Sequence, residues 1–170
     1  MASGVSVADI VVQTFNDMKV RKAESVEDAK KRKKGVMFCL NKEMTQIVID
    51  EERQILCGDI GTTVKDPLMD FFKLLPLKDC RYCLFDLSYR TKESVKEDLI
   101  FVFWAPDQAP LKNKMVYAAS KEALRKVFTG IKHEFQLAGP EDIGSVWHFR
   151  ELLKAPDVVS IEGHVLLPEA

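Results

Sequence analysis

The stretch WAPDQAPLKNKMVYAASKEALRKVFTGIKHEFQL, Trp104 to Leu137, carries a strand end, a long helix and a return to extended chain. Pro106 closes the apolar run before it. Pro110 stands where a first helical residue tolerates the missing N–H. The spacing predicts a helix from Pro110 to Phe128, with Gly130 as its stop. At about 100° per residue, Val116, Ser120, Ala123 and Val127 share a buried face, with Tyr117, Leu124 and Phe128 at its edge. Lys114, Lys121 and Arg125 occupy the solvated side. Lys112, Met115, Ala119, Glu122 and Lys126 form a third stripe, which puts Met115 on a charged surface. Either Met115 is a scattered surface apolar residue, or this is a binding helix with a methionine anchor and lysine flanks.

Outward from the helix, short apolar runs punctuated by turn residues predict strands. Gly35 to Leu40 and Leu99 to Trp104 are continuously apolar, as strands buried on both faces are. Gln46 to Ile49 returns from a turn at Asn41-Lys42-Glu43, polar Asp50 to Arg53 follows, and Ile55-Leu56-Cys57 is apolar again. Arg81 to Tyr89 pairs with the 99–104 run through the charged turn Thr91-Lys92-Glu93-Ser94. Ile131, His133, Phe135 and Leu137 alternate with polar residues, and Val158 to Ile161 is a last short strand. Asp66-Pro67 reads as an N-cap plus first-turn proline, opening a helix with Leu68, Phe71, Phe72 and Leu75 inward. A helix is also expected from Ser6, with Val7, Val11, Phe15 and Met18 buried, and another after Gly139-Pro140. Hairpin strands with interspersed helices give an α/β layered domain of α+β type around a mixed sheet.

With 170 residues, 46% apolar and 30% charged, the chain has the make-up of one soluble domain with a real core. Its net charge of −1 gives no global attraction to nucleic acid or anionic membranes, so a basic site must be local. No apolar run approaches membrane-spanning length, and Met1 to Val5 lacks signal-peptide features, so an intracellular protein is expected. Cys39, Cys57, Cys80 and Cys83 fall in apolar segments, as reduced thiols do. Cys80 and Cys83 form a C-x-x-C, but zinc needs a second pair, and i and i+3 of a strand point to opposite faces. A thiol oxidoreductase using Cys80 and Cys83 is the function such a pair would offer. Lys30-Lys31-Arg32-Lys33-Lys34 is either a solvated surface run or a nuclear-import signal. No phosphate-binding loop, nucleophile elbow or metalloprotease motif is present, and His133, His148 and His164 have no nucleophile set beside them by any motif.

Several of these segments together resemble the actin-depolymerising factor/cofilin family, in its vertebrate-type (cofilin or destrin) form. The resemblance is carried by Met1-Ala2-Ser3-Gly4-Val5, Asp17 to Lys22, Lys30 to Lys34, Asp79-Cys80-Arg81-Tyr82 and Thr91 to Ser94. Its most specific parts are Phe103-Trp104-Ala105-Pro106, Ala109-Pro110-Leu111-Lys112-Asn113-Lys114-Met115 and Phe128-Thr129-Gly130-Ile131-Lys132-His133-Glu134. It implies one actin-depolymerising-factor-homology domain over residues 1–170, with a central mixed five-stranded sheet flanked by helices on both faces. Residues 1–5 would be a flexible tail and 164–170 a C-terminal tail.

The resemblance further implies a non-enzymatic protein, monomeric and without cofactor, that binds actin monomers and filament sides, and twists, severs and depolymerises filaments. By position it implies monomer contacts at Ser3, Gly4, Lys112, Lys114 and Met115, and filament contacts at Lys96, Asp98 and Glu151. Ser3 would be phosphorylated by a LIM-type kinase and restored by a phosphatase. Lys112, Lys114, Lys126, Lys132 and His133 would meet phosphoinositide head groups, Asp98 and His133 would sense pH, and Lys30 to Lys34 would carry nuclear import of an otherwise cytoplasmic, cytoskeletal protein. No direct nucleic-acid contact belongs to this reading; the alternative is a phosphoinositide- or nucleic-acid-binding module without actin remodelling. The chain departs from the family pattern at Val95, often basic there, at Leu152 to Pro156, in its longer and more apolar end from His164, and at Cys57 and Cys83.

Overall fold

The run from Leu99 to Trp104 is apolar at every position because both faces of its strand are covered. The computed structural model of the chain describes residues 4–20, 25–143, 146–153 and 157–166. In chain order these form β1 (Ser6–Val7), α1 (Asp9–Val20), α2 (Val26–Lys31), β2 (Lys33–Leu40), β3 (Gln46–Leu56), α3 (Pro67–Phe72), β4 (Arg81–Thr91) and β5 (Val95–Trp104). There follow α4 (Leu111–Val127), β6 (His133–Leu137), α5 (Val146–Leu153), β7 (Val158–Ile161) and β8 (His164–Val165). The sheet runs β1-β3-β2-β4-β5-β6, while β7 pairs with the far end of β4 and β8 with β7. The β1–β3 and β5–β6 pairs are parallel and the others antiparallel, so the sheet is mixed.

Alternation along β4 and β5 divides the core into two layers. Tyr82, Leu84, Phe101 and Phe103 meet Val11, Phe15 and Met18 of α1 and Tyr117 and Leu124 of α4, with Phe128 just beyond it. Cys83, Phe85, Ile100, Val102 and Trp104 meet Phe71 and Phe72 of α3 and Phe149 and Leu153 of α5. The helices therefore flank both faces. Asp66 caps α3 through Met69 N–H, with Pro67 in the first turn, as its sequence predicts. Gly35 lies where Phe71 crosses β2: a Cβ there would stand 2.7 Å from the ring.

The expected five strands correspond to β2 through β6, and among the described residues the sheet has eight. Of the additional strands, β7 is the last short strand expected at Val158 to Ile161, while β1 and β8 are two residues long, too short for a period to register. Ser6 and Val7 are strand rather than the opening of a helix, because they pair in parallel with Gln46 and Ile47. Asp50 to Arg53 does not separate two strands. Val36 pairs with Gln54 and Met37 with Asp50, so Glu51 to Arg53 bulge from one continuous β3. The expected tail from residue 164 begins as β8, and Leu166 is buried. Glu162 and Gly163, at φ 48° and 83°, make the two-residue turn between β7 and β8, the backbone hand that right-twisted hairpins favour.

Candidate functional site

Helix α4 is held by its buried face. Tyr117, Ser120 and Leu124 are fully covered, with Phe128 just past the last turn; the face is turned slightly from the predicted one, leaving Val116, Ala123 and Val127 half-buried. The Tyr117 hydroxyl accepts from Leu40 N–H at 3.0 Å, and the Tyr82 hydroxyl donates to the Tyr117 carbonyl. Away from that face Lys112, Met115, Ala119, Glu122 and Lys126 are all exposed, as the third stripe requires. Met115 is 63% exposed, and one turn earlier Leu111 is 69% exposed. Leu111 escaped the sequence reading because it directly follows Pro110 at the helix start; its i, i+4 spacing to Met115 was the available signal.

The N-terminal segment lies beside this helix. β1 packs against α4, and Val5 and Val7 join the same core layer. Gly4, at φ 80°, has open space where a side chain would be. Ser3 lies outside the described residues.

Asp98 and His133 come together from β5 and β6, His133 Nε2 standing 3.3 Å from Asp98 Oδ2. The Tyr89 hydroxyl donates to the same oxygen at 2.6 Å. Burial raises the Asp98 carboxyl, but the Tyr89 hydroxyl, His133 and Lys132 outweigh it, and the net shift is downward. Burial and Asp98 together push the Tyr89 phenol up. Behind this pair a cavity of about 250 Å³ is lined by Phe15, Lys19, Asp98, Thr129, Gly130 and Lys132. Lys96 is exposed at the start of β5, and Glu151 is exposed on α5.

The phosphoinositide set does not converge. Lys112 and Lys126 are separated by about 21 Å of helix axis, Lys132 lies in the connection after the helix, and His133 opens β6. The geometry is a linear array rather than a pocket. The basic run also differs from a uniformly solvated segment. Lys30 and Lys31 are exposed on α2 and Arg32 caps its end, but Lys33 and Lys34 enter β2. Lys34 is buried and its Nζ lies 2.7 Å from Glu162 Oε1, because strand alternation turns it inward.

The thiols occupy separate environments. Cys80 lies in the α1/α4 layer and Cys83 in the α3/α5 layer. Three strand residues span about 10 Å, beyond the roughly 7 Å that a disulfide bridges between Cα atoms. Burial pushes the Cys80 thiol up to about 11, against thiolate chemistry. Among the described residues no group of three or more His, Cys, Asp and Glu could hold a metal ion, and no helix is long and apolar enough to cross a membrane.

Residues 4–152 match the family described as Cofilin/tropomyosin-type actin-binding protein. The chain belongs to the cofilin/ADF family. Among solved structures, the cofilin of Streptomyces griseoflavus shares 32% identity at a TM-score of 0.66, over 90% of this chain and 98% of that one. Actin depolymerization factor 2 of Plasmodium berghei shares 30% identity at a TM-score of 0.65, over 92% and 98%. The ADF-like UNC-60A protein of Caenorhabditis elegans, at 24% identity and TM-score 0.65 over 90% and 96%, has the same fold. The eight-stranded mixed sheet with helices on both faces is thus the cofilin/ADF fold, and the exposed α4 stripe belongs to a domain of an actin-binding family.

Proposed function

We propose that this chain binds actin monomers and filament sides, and twists, severs and depolymerises filaments without making or breaking a covalent bond. The observation that carries the reading is the exposed Leu111–Met115 pair with Lys112 beside it, on a helix whose buried face is fully occupied by the sheet. Helix-in-groove recognition takes apolar anchors at i and i+4 within a polar rim, and methionine suits a cleft that must adapt. The packing of β1 against α4 supports joint use of Ser3, Gly4, Lys112, Lys114 and Met115. Lys96, Asp98 and Glu151 serve a second, filament-only face. A ligand that prefers a twisted filament shifts the filament by its differential affinity alone, and boundaries with untwisted stretches become weak points.

Regulation in this reading acts on the same helix. Phosphorylation of Ser3 by a LIM-type kinase adds about −1.5 to −2 charges to a docking surface that also uses Lys112 and Lys114, opposing docking until a phosphatase removes it. Phosphoinositide head groups engage Lys112, Lys114, Lys126, Lys132 and His133 as a spread array. Asp98 and His133 give filament binding a pH dependence. The N-terminal motif supports the vertebrate-type branch, and the actin-binding reading carries with it a monomer and a cytoplasmic, cytoskeletal location. Import to the nucleus with actin through Lys30 to Lys34 would read the exposed Lys30 and Lys31, or require β2 to open and release Lys34.

Met115→Ala tests the reading. Truncating an exposed anchor that becomes buried in a groove costs about 1–3 kcal/mol of binding, so monomer affinity should fall at least fivefold with the thermal midpoint unchanged. Unaltered affinity, or absence of both filament pelleting and a rise in unpolymerised actin, overturns the proposal. Affinity that collapses with salt but ignores Met115→Ala would favour the basic-patch module instead.

A further inference from the structure

The turn that presents Leu111, Lys112 and Met115 is poorly supported by its own helix. Its N-cap is Pro110, which supplies no side-chain acceptor, and the first turn holds no acidic residue. Lys112 and Lys114 instead bring two cations to the positive end of the helix dipole, where they oppose it. Leu111 and Met115 face solvent, so burial does not hold this turn either. The full anchoring of α4 begins only at Tyr117.

The Asn113 side chain reaches from this turn to the body of the protein. Asn113 Nδ2 donates to Asp79 Oδ1 at 3.0 Å. Asp79 is itself fixed: Cys80 N–H donates to Oδ1 at 2.8 Å, and Arg81 Nη1 donates to Oδ2 at 3.0 Å. Arg81 Nε donates to Asp50 Oδ2 at 2.9 Å, and that oxygen also accepts from Arg53 Nη1 at 3.0 Å. Arg53 Nε closes the chain on the Leu74 carbonyl at 2.9 Å. Asp50 is buried and the Arg81 side chain is only 11% exposed, so the chain is anchored in the fold rather than in solvent. It also places the Asp79 carboxylate beside an uncapped helix start, where negative charge is favoured.

Resting on the actin-binding reading above, we infer that Asn113 is a positioning residue for the α4 docking stripe, holding its first turns ordered through the Asp79–Arg81–Asp50 chain. Asn113 need not touch the partner. It acts by removing the ordering cost that a frayed turn would carry into binding. Of the three members downstream of it, Asp79 stands just before β4, Arg81 opens β4 and Asp50 lies on β3 at the edge of its bulge, so the stripe is set by the sheet rather than by helix propensity.

The test compares Asn113→Ala, Met115→Ala and the isosteric Asn113→Asp, with actin-monomer affinity and amide exchange as readouts. Alanine is the better helix former, so any loosening in Asn113→Ala runs against propensity and reports the lost tether. Asn113→Ala should weaken monomer binding about two- to tenfold and speed exchange of the Lys114 to Val116 amides. Exchange beyond Tyr117 should not change. Asn113→Asp keeps the shape and puts a carboxylate in the helix's first turn, where the dipole favours it, but it loses the donor and faces Asp79, so it should speed exchange of the same amides as Asn113→Ala does. Wild-type affinity in Asn113→Ala alongside a loss in Met115→Ala overturns this inference alone, as does weakened binding with unchanged exchange or protection kept in Asn113→Asp. Wild-type affinity in Met115→Ala overturns the docking reading and this inference with it.

Discussion

Replacing Lys34 by methionine removes a buried cation from a site built around a carboxylate. Lys34 and Glu162 side chains are 8% and 6% exposed, with Nζ and Oε1 2.7 Å apart. Glu162 Oε1 also accepts from Ser88 N–H at 2.6 Å, and the Lys34 ammonium lies 5.2 Å from the centre of the Phe85 ring. Burial raises the Glu162 carboxyl above its ordinary value even with Lys34 present to lower it, and nearby Asp86 adds to the rise. Methionine fills the lysine's volume but leaves the carboxylate without its cation, a loss of about 3–5 kcal/mol for a buried pair broken on one side. The sign with pH follows from Glu162. Its folded pKa, already raised, rises further without Lys34, so the folded variant takes up a proton before the unfolded chain does. The deficit should therefore shrink as pH falls from 7 to 5.5, by at most about 1.4 kcal/mol per unit. Urea unfolding followed by fluorescence of buried Trp104, at pH 7, 6 and 5.5, reads this directly. The double variant Lys34→Met/Glu162→Gln, which keeps an acceptor for Ser88, should recover most of the loss at pH 7. A deficit below about 1 kcal/mol at pH 7, or one equal at pH 7 and 5.5, would refute the reasoning.

Two further perturbations address the other charged sites. Tyr89→Phe removes a 2.6 Å donor from Asp98, whose folded pKa is depressed. The stabilisation it supplies, about 1–2 kcal/mol, exists above the ordinary carboxylate pKa and is lost as pH falls through the folded value, so wild type and variant should converge in acid unfolding below about pH 3.8. A constant gap would contradict this. Val95→Lys puts a cation beside Lys96 on the proposed filament face, at a residue 66% exposed. Co-sedimentation at low salt should tighten about two- to fivefold, with monomer binding unchanged; an equal change in both would merge the two faces into one.

What the sequence disclosed depended on period and on local chemistry. The Leu99–Trp104 run, the α4 spacing and the Asp66-Pro67 start were readable because each is written within a few consecutive residues. β3 read as two pieces because the polar Glu51 to Arg53 bulge interrupts its pattern while its pairing continues. The β7–β8 turn went unread because glutamate is an unusual residue at positive φ; what holds Glu162 there comes from β2 and β4, Lys34 and Ser88. For the site, Met115 stood out by helical spacing, and Asp98 and His133 were paired only through the family resemblance. The Asn113–Asp79 bond joins residues 34 apart and left no trace in either pattern. The basic run misled because a string of like charges does not reveal where helix α2 ends and β2 begins, and so which lysine turns inward.

The placing of Cys80 and Cys83 in opposite core layers gives the molecule a pair of internal reporters. With Cys39 and Cys57 replaced, a thiol reagent could reach Cys80 only by opening the layer under α1 and α4, and Cys83 only by opening the layer under α3 and α5. Their separate modification rates would show whether the docking-helix side loosens independently of the α5 side, or whether the sheet yields to both at once.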